Sequence, residues 1–348
     1  MSLRSHTIPR FYLERFAVQI PGKDGRIWVY ARGTVPHRRS TRSQGFEKGY
    51  FEIFGSDGQR DESMEPMLAR IEDESNDSLV CARSMLCDLS LVRTKLATYI
   101  AMLFRRSTVS QKSHARRWKQ IAEPYAALTS NDEYLSDIAS YFTRVLNRNF
   151  SVKDIRRMIA SQANRFSDKT FTKNSFILDL LSFVEFGQRE FLKKHWQVWH
   201  AQGPAEFVTS DNPVVSFVRY RSKDEVWIPG FGFGSKGVII AFPLAPDACL
   251  VMLDAPVPTQ HKHVDMETIQ RMNEIVITCC DRFVYSRTRS EELSEAVDQH
   301  SGTSVPGVNA FMGRQVDENL IEEHMRRELG IEKKSNGHWE KSTAKTSG

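Results

Sequence analysis

The stretch EFVTSDNPVVSFV, residues 206–218, marks the point at which the chain changes from helical to β patterning. Before it, from Glu62 to Gln202, apolar residues recur at intervals of three and four, which is typical of amphipathic helices. After it, short β-branched and aromatic runs are bounded by Gly, Pro and Asp, which is typical of strands. The two patterns together predict an α+β fold.

The order of these patterns predicts a multi-helix bundle inserted between N-terminal strands and a C-terminal, mostly antiparallel sheet. The segment 173–201, which is rich in Phe, Leu and Trp, is predicted to be one long helix ending before Gly203. The basic loop 34–45 shows no periodic apolar pattern, and we expect it to be mobile. Strands are predicted at 26–31, 50–54, 206–210, 214–220, 225–229, 238–242, 249–253 and 282–286, with a helix at 266–280.

The length of 348 residues allows one large domain or two smaller ones. We expect a single α+β domain over 1–334, followed by a disordered tail over 335–348 because that segment is polar and poor in apolar residues. Within the domain, the predicted parts are an N-terminal hook and strands (1–60), a helical part (61–203), a sheet part (204–290) and C-terminal helices (291–334).

Composition excludes a membrane-spanning chain and a disordered one, since hydrophobic residues make up 40% and charged residues 26% of the sequence. No apolar run approaches the roughly 20 residues that span a bilayer, and residues 1–9 lack the apolar core of a signal peptide, so we predict a cytoplasmic protein. The five cysteines show no C-x-x-C spacing. We therefore expect reduced, mostly buried thiols rather than a disulfide framework or a zinc site.

Two motif matches are excluded by their context. The glycines Gly232, Gly234 and Gly237 have dinucleotide-binding spacing, but the residues that follow predict a strand where that fold requires a helix. Ser210-Asp211-Asn212 matches an element of the penicillin-binding fold, whose S-x-x-K partner occurs here only in the polar tail.

The net charge of +5 is modest but unevenly distributed. Between Arg105 and Lys173, Lys and Arg together outnumber Asp and Glu by more than two to one. Such clustering is compatible with a polyanionic partner such as nucleic acid. The alternative is a solvated set of helix faces balanced by acidic segments elsewhere, such as Asp61–Asp77.

Two polar clusters within apolar surroundings are candidates for a site. The first, HTIPRFYLERF at 6–16, is either an N-terminal cap buried by its aromatic residues or a segment that holds His6 near a basic pocket. The second, TSDNP at 209–213, is either a tight Asx turn at a strand end or a functional loop on a rigid scaffold. We expect the two clusters to be neighbours in space, because the leading strands need partners in the C-terminal sheet.

Several motifs, taken in this order, resemble the bacterial family DUF4238. The resemblance covers about Ser5 to Arg287 and implies a shared fold without implying an activity. It is carried by H-x-x-P-x-F-Y-L-x-x-F from His6, the helix with Glu65 and Glu72, Arg105-Arg106, FVTSDNPV at 207–214, FPLAP at 242–246, the helix with Asn273, and FVYS at 283–286.

One functional hypothesis is a nuclease-like hydrolase directed at nucleic acid or a nucleotide, in the setting of phage defence. Phosphodiester chemistry needs a proton shuttle or a metal beside fixed positive charge. The catalytic candidates are His6, Asp211 and Glu65, with Asp211 and Glu72 as candidate ligands of a divalent metal, Mg²⁺ or Mn²⁺. Substrate-binding candidates are Arg10, Tyr12, Arg105, Arg106, Thr209, Ser210 and Asn212.

Two alternatives remain open. The basic helices could form a non-catalytic module that binds nucleic acid or protein. The same polar cluster could instead form the ligand pocket of a sensor in a bacterial conflict system.

Overall fold

The elements of the chain follow one another in the predicted α+β order. A computed structural model describes residues 4–54, 59–61, 63–146, 148–220, 226–302, 331–333 and 339–341. The helices are α1 (Arg10–Leu13), α2 (Met64–Arg83), α3 (Arg93–Arg105), α4 (Thr108–Leu128), α5 (Asp132–Leu146), α6 (Val152–Ser167), α7 (Lys169–Lys193), α8 (Met266–Thr278) and α9 (Glu291–His300). The strands are β1 (Arg4–His6), β2 (Val18–Ile20), β3 (Lys23–Tyr30), β4 (His37–Ser40), β5 (Phe46–Lys48), β6 (Ile53–Phe54), β7 (Arg60–Asp61), β8 (His195–Ala201), β9 (Thr209–Ser210), β10 (Val215–Tyr220), β11 (Val226–Pro229), β12 (Ile239–Ala245), β13 (Ala248–Leu253), β14 (His261–Val264), β15 (Val284–Ser286), β16 (Ile331–Lys333) and β17 (Trp339–Lys341).

Two larger sheets organise the β part. The six-stranded sheet has the order β11-β10-β12-β13-β8-β14, and its pairs are antiparallel except for β14 beside β8. The second sheet has the order β2-β3-β15-β9, with β4 also paired to β3. Because β3 comes from the N-terminal part and β15 from the C-terminal part, the helices from α2 to α7 are inserted between strands of one sheet. The predicted fold class is thus confirmed.

The six-stranded sheet separates two apolar cores. Along β12, Ile240, Phe242 and Leu244 belong to a core shared with the helices, while Ile239 and Ala241 belong to the core on the other side. This alternation is the period of two expected of a strand. Helix α8 contributes Ile269 and Met272 to that second core. Both faces of the sheet are therefore covered.

Helix α3 is the central helix of the bundle, and α7 packs closely on it. A Cβ placed on Gly187 of α7 would lie 2.8 Å from Cβ of Ala101 in α3, so the close approach depends on this glycine. Helices α5 and α6 lie further out and share a small separate core formed by Leu135, Ala139 and Ile155.

The predicted long helix at 173–201 is wrong at its C-terminal end. Helix α7 stops at Lys193, and the following residues form β8, which pairs with β13. Trp196 and Val198 face one core and Trp199 faces the other. In the sequence HWQVWHA, successive side chains thus point to opposite faces, as in a strand. Because aromatic residues occupy both faces, the segment shows no apolar–polar alternation, and the sequence was interpreted as helical.

The basic loop at 34–45 is also more regular than predicted. Residues His37–Ser40 form β4, which pairs with β3, and Thr41 behind it is fully buried. The predicted strand at 50–54 reduces to β6, while the neighbouring residues Phe46–Lys48 form β5 and pair with β1. In both cases a strand that would otherwise have an unpaired edge gains a hydrogen-bonding partner: β3 pairs with β4, and β1 pairs with β5.

Cys81 and Cys87 form a disulfide, so the prediction of reduced thiols is wrong for this pair. Helix α2 ends at Arg83, and the turn that follows returns the chain until the two Cα atoms are 5.4 Å apart, within the range that a disulfide requires. Cys249, Cys279 and Cys280 are free and buried, as predicted.

The C-terminal predictions lie largely outside the described residues. Helix α9 falls in the segment 291–334 predicted to be helical, whereas 303–330 is outside the description. Strand β17 pairs with β16 and lies in the segment predicted to be a disordered tail. The rest of that tail, 335–338 and 342–348, is outside the described residues.

Candidate functional site

The TSDNP motif forms a buried turn at the end of β9. Thr209 and Ser210 pair with Tyr285 and Val284 of β15. The Ser210 hydroxyl donates to the carbonyl of Asn212 at 3.0 Å and accepts the amide N–H of the same residue at 3.1 Å. These local bonds define the turn from within.

Asp211 binds the segment that follows α8. Its carboxylate accepts the amide N–H groups of Asp281 and Arg282, each at 2.7 Å, and that of Phe283 at 3.0 Å. Burial raises the pKa of Asp211 to about 6 despite these hydrogen bonds, and the nearby Asp281 charge raises it further. The carboxylate therefore acts as an internal cap for the 281–283 backbone.

Two asparagines attach the same turn to α8. The Asn212 side chain donates to the carbonyl of Cys279 at the end of α8. The Asn273 side chain accepts the amide N–H of Val208 and donates to the carbonyl of Glu206. The polar residues of the motif are thus used in backbone contacts, which supports the Asx-turn alternative at this position.

The N-terminal segment reaches the TSDNP motif through Tyr12. Its hydroxyl donates to the carbonyl of Pro243 at 2.8 Å and lies 2.7 Å from Thr209 Oγ1. Because a phenol has one proton, Thr209 is the donor in the second contact. The predicted meeting of the two clusters therefore occurs at Tyr12. Arg10, by contrast, is half-exposed and binds Glu14 and Asp24.

Arg106 connects the start of the chain to α2. Its side chain, which is 1% exposed, binds the carboxylate of Glu72 and the main-chain carbonyl of His6. The Phe51 ring lies 5.4 Å from the guanidinium carbon. The candidate metal ligand Glu72 is therefore the ion-pair partner of a buried arginine.

His6 and Asp211 lie on adjoining segments. His6 is in β1, and the preceding residue of that strand, Ser5, pairs with Glu47 of β5. The Glu47 carboxylate accepts a hydrogen bond at 2.6 Å from Arg282, whose amide binds Asp211. The structure brings the two segments together through Glu47 and Arg282.

Arg105, directly before Arg106, enters a second buried network. It binds Asp179 of α7, and its guanidinium carbon lies 5.3 Å from the centre of the Phe176 ring. His114 Nδ1 lies 3.2 Å from the same carboxylate oxygen of Asp179. Burial raises the pKa of Asp179, but His114 and Arg105 outweigh burial and hold it below its ordinary value.

The His114 network resembles a Ser-His-Asp arrangement without its chemistry. His114 Nε2 lies 3.0 Å from Ser175 Oγ, and Asp179 is on the opposite side of the ring. However, the Trp118 indole N–H donates to Nε2 at 2.9 Å, and Ser175 donates to the carbonyl of Thr172. The lone pair of His114 Nε2, which would accept the serine proton, thus already accepts the Trp118 N–H. The network therefore positions Arg105 rather than activating Ser175.

Several buried polar atoms of this region lack hydrogen-bond partners among the described residues. Among them are Nε and Nη1 of Arg105, Nε of Arg106, Oε1 of Glu65 and Oδ1 of Asn212. Within the described ranges, no group of three or more His, Cys, Asp or Glu side chains could hold a metal ion. Asp211 and Glu72 are engaged by amides and by Arg106, so the predicted divalent metal has no ligand set there.

Comparison with known proteins agrees with the motifs. The family described as "Protein of unknown function (DUF4238)" matches residues 4–290. The chain belongs to the DUF4238 family. The matched region ends just before α9 and includes both larger sheets and the helices between them. No curated protein and no solved structure matches the chain. Among the described helices, none is long and apolar enough to cross a membrane.

Three residues that contact the DUF4238 motifs were not predicted from the sequence: Asp281, Asp179 and His114. Asp281 accepts hydrogen bonds from Thr108 at 2.9 Å and from Lys112 at 2.6 and 2.7 Å. The structure buries the Arg105 side chain to 1% exposure, and a buried guanidinium requires a carboxylate partner. Which carboxylate supplies it depends on helix packing, which a single sequence does not specify.

Proposed function

We propose that the protein binds nucleic acid through the outer helices α5 and α6, with single strands preferred over duplex. The observation that carries the proposal is a patch at the end of α5, hereafter the Tyr141 patch, formed by Tyr141, Arg144, Val145 and Arg148. Tyr141 is 52% exposed and Val145 is 56% exposed. The Arg144 guanidinium carbon lies 5.9 Å from the centre of the Tyr141 ring.

The charge of this patch supports a polyanionic partner. Neither Arg144 nor Arg148 forms an ion pair with a carboxylate of the described residues, whereas the neighbouring Arg156 binds Asp132. The Arg148 guanidinium carbon lies 5.7 Å from the centre of the Phe150 ring, at the base of the patch. Lys153 and Arg157 at the start of α6 are also exposed, and Arg157 lies 4.0 Å from the carboxylate of Asp154. Exposed cations beside an exposed aromatic ring suit a nucleic-acid strand, since cations bind phosphates and bases stack on the ring.

The contacts of two candidates for the hydrolytic site favour binding over hydrolysis. The Asp211 carboxylate accepts three amide N–H groups, and the Glu72 carboxylate is the ion-pair partner of Arg106. The hydrolase hypothesis, with His6, Asp211 and Glu65 as catalytic residues, and its setting in phage defence stay predictions. Cleavage of the oligonucleotides used for the binding measurements should therefore also be assayed, with and without Mg²⁺ or Mn²⁺.

Fluorescence anisotropy with labelled single-stranded and duplex oligonucleotides tests the proposal. We expect Tyr141→Ala to weaken single-strand binding by roughly tenfold, because stacking of one base contributes about 1–3 kcal/mol. Replacing Arg144 and Arg148 by Gln should reduce the slope of log affinity against log salt by about 0.7 per lost phosphate contact.

Two matched variants control for general effects of substitution. Leu91→Ala removes an exposed apolar side chain (78%) outside α5 and α6, and Arg70→Gln removes an exposed arginine of α2. Both should leave affinity unchanged. If the Tyr141 variant binds as the wild type does, or if Leu91→Ala weakens binding equally, the proposed surface is wrong.

A further inference from the structure

A small polar cavity lies on the face of the six-stranded sheet that α8 covers, away from the TSDNP turn and from the Tyr141 patch. Its volume is about 150 Å³. The residues that line it are Trp199, Arg219, Trp227, Lys262, Glu267, Thr268 and Arg271. The set combines three cationic side chains with one carboxylate, that of Glu267, which lies 2.7 Å from Arg271.

The cavity exists because the sheet curls. Trp199 is on β8 and Trp227 is on β11, with three strands between them in the sheet order. Neighbouring strands lie about 4.8 Å apart, so a flat sheet would separate these residues by roughly 19 Å. Their ring centroids are nevertheless only 6.3 Å apart. The two indoles therefore meet across the concave face and form one wall of the cavity.

Each indole holds a cation at the cavity. Lys262 is the strand partner of Trp199, and its Nζ lies 5.9 Å from the centre of that ring. Arg219 is the strand partner of Trp227, and its guanidinium carbon lies 5.3 Å from the centre of that ring. Trp227 is held from behind by Phe217, which stacks on it at 4.9 Å. Because each cation is paired across strands with an indole, the Lys262 and Arg219 side chains are more restricted than side chains on an open surface.

Helix α8 provides the remaining side. Arg271 and Thr268, in the first two turns of α8, line the cavity. The Arg271 guanidinium donates a hydrogen bond to the Glu267 carboxylate at 2.7 Å. In addition, Nε1 of Trp227 is buried without a hydrogen-bond acceptor among the described residues. A buried N–H of this kind requires an explanation, and a bound acceptor oxygen is one.

We propose that this cavity binds the phosphate group of a small phosphomonoester. The volume is below the roughly 300–1,000 Å³ of pockets that enclose drug-sized ligands. A compact anion fits, and the organic part of the ligand lies outside. A phosphomonoester carries close to two negative charges at pH 7, and the cationic side chains of the lining outnumber its one carboxylate by three to one. Arg219 and Arg271 offer planar donors suited to phosphate oxygens.

Tryptophan fluorescence and isothermal titration calorimetry of the full chain test the proposal. The probes are inorganic phosphate, adenosine monophosphate, adenosine and acetate at equal ionic strength. We expect saturable binding of both phosphate compounds, with no response to adenosine or acetate. Binding of the monophosphate alone would identify the organic part as a second determinant, and equal binding of both would identify the phosphate as sufficient. Either result supports the site.

Single substitutions locate the binding. Arg219→Gln and Lys262→Gln are at exposed positions and should each weaken phosphate binding by about tenfold, whereas Glu267→Gln should strengthen it, because it removes the one carboxylate of the lining. Arg70→Gln on α2 is the control for a general loss of positive charge. The proposal is overturned if neither inorganic phosphate nor adenosine monophosphate binds saturably up to about 10 mM, or if binding is unchanged in both cation variants. Weakened binding in Glu267→Gln would also contradict it.

Discussion

Tyr12 and Thr209, almost 200 positions apart in the chain, share a buried hydrogen bond of 2.7 Å. The same Tyr12 hydroxyl donates to the carbonyl of Pro243 in β12, and its ring stacks on Phe242 at 5.1 Å. One phenol thus connects the N-terminal segment, the TSDNP turn and the six-stranded sheet. Three of the motifs that carry the family resemblance, at 6–16, 207–214 and 242–246, meet at this side chain.

Tyr12→Phe is predicted to destabilise the protein by about 1–3 kcal/mol, because the carbonyl of Pro243 and the hydroxyl of Thr209 both lose a buried partner. Urea denaturation followed by circular dichroism measures the change. Tyr141→Phe, at an exposed position, should change stability by less than about 0.5 kcal/mol. Equal stability of the two variants would show that the Tyr12 hydroxyl has no structural importance.

The stability of the protein should depend on the ionisation of Asp211. Burial raises its pKa from 3.8 to about 6, so the folded state holds this proton more tightly than the unfolded state. The resulting stabilisation is complete below about pH 4 and is lost as the pH rises through about 6. Two pKa units correspond to roughly 3 kcal/mol.

The measurement is the free energy of unfolding of the wild type and of Asp211→Asn between about pH 4 and pH 8. The difference, wild type minus variant, should decrease across the window and become constant above about pH 7. A difference that does not change with pH would mean that Asp211 has an ordinary pKa.

The buried pair of Arg106 and Glu72 should show strong coupling. Glu72→Ala leaves a guanidinium that is 1% exposed without its carboxylate, which costs about 3–5 kcal/mol. Adding Arg106→Met should recover part of that loss, since the uncompensated charge is then gone. The exposed pair Arg70 and Glu74 is the matched control, with an expected coupling of about 0.2–1 kcal/mol. Coupling in the buried pair no larger than in this control would contradict the prediction.

The Cys81–Cys87 disulfide is predicted to stabilise the protein by about 2 kcal/mol, the value expected for closing so short a loop. Thiol titration of the unfolded chain should give three reactive thiols before reduction and five after it. Cys81→Ser combined with Cys87→Ser should match the stability of the reduced wild type. Five thiols before reduction would show that the bond does not form, in keeping with the predicted cytoplasmic location.

The periodicity of the sequence was sufficient for the fold class and for most strands after Val214, because alternating apolar residues on a covered sheet leave little ambiguity. Periodicity did not predict the strand at 195–201, because Trp and His occupy both faces of this buried strand. It also did not predict the strand at 37–40, because basic residues form this edge strand. The family motifs were found, but their roles were not. Whether Asp211 serves catalysis or a turn depends on the amides of 281–283, which come near only in the folded chain.

The pairing of β3 with β15 has a consequence for how the chain reaches this structure. Tyr30 pairs with Val284, so β3 lacks this partner until the chain has been synthesised as far as β15. Until then Phe16 and Ile27, both fully buried in the finished protein, have no completed core to enter. Pairing across so great a separation makes folding slow and exposes the nascent chain to aggregation. A ribosome stalled before β15 is synthesised would therefore hold a chain whose second sheet is incomplete, and a chaperone that shields its apolar segments should raise the yield of native protein.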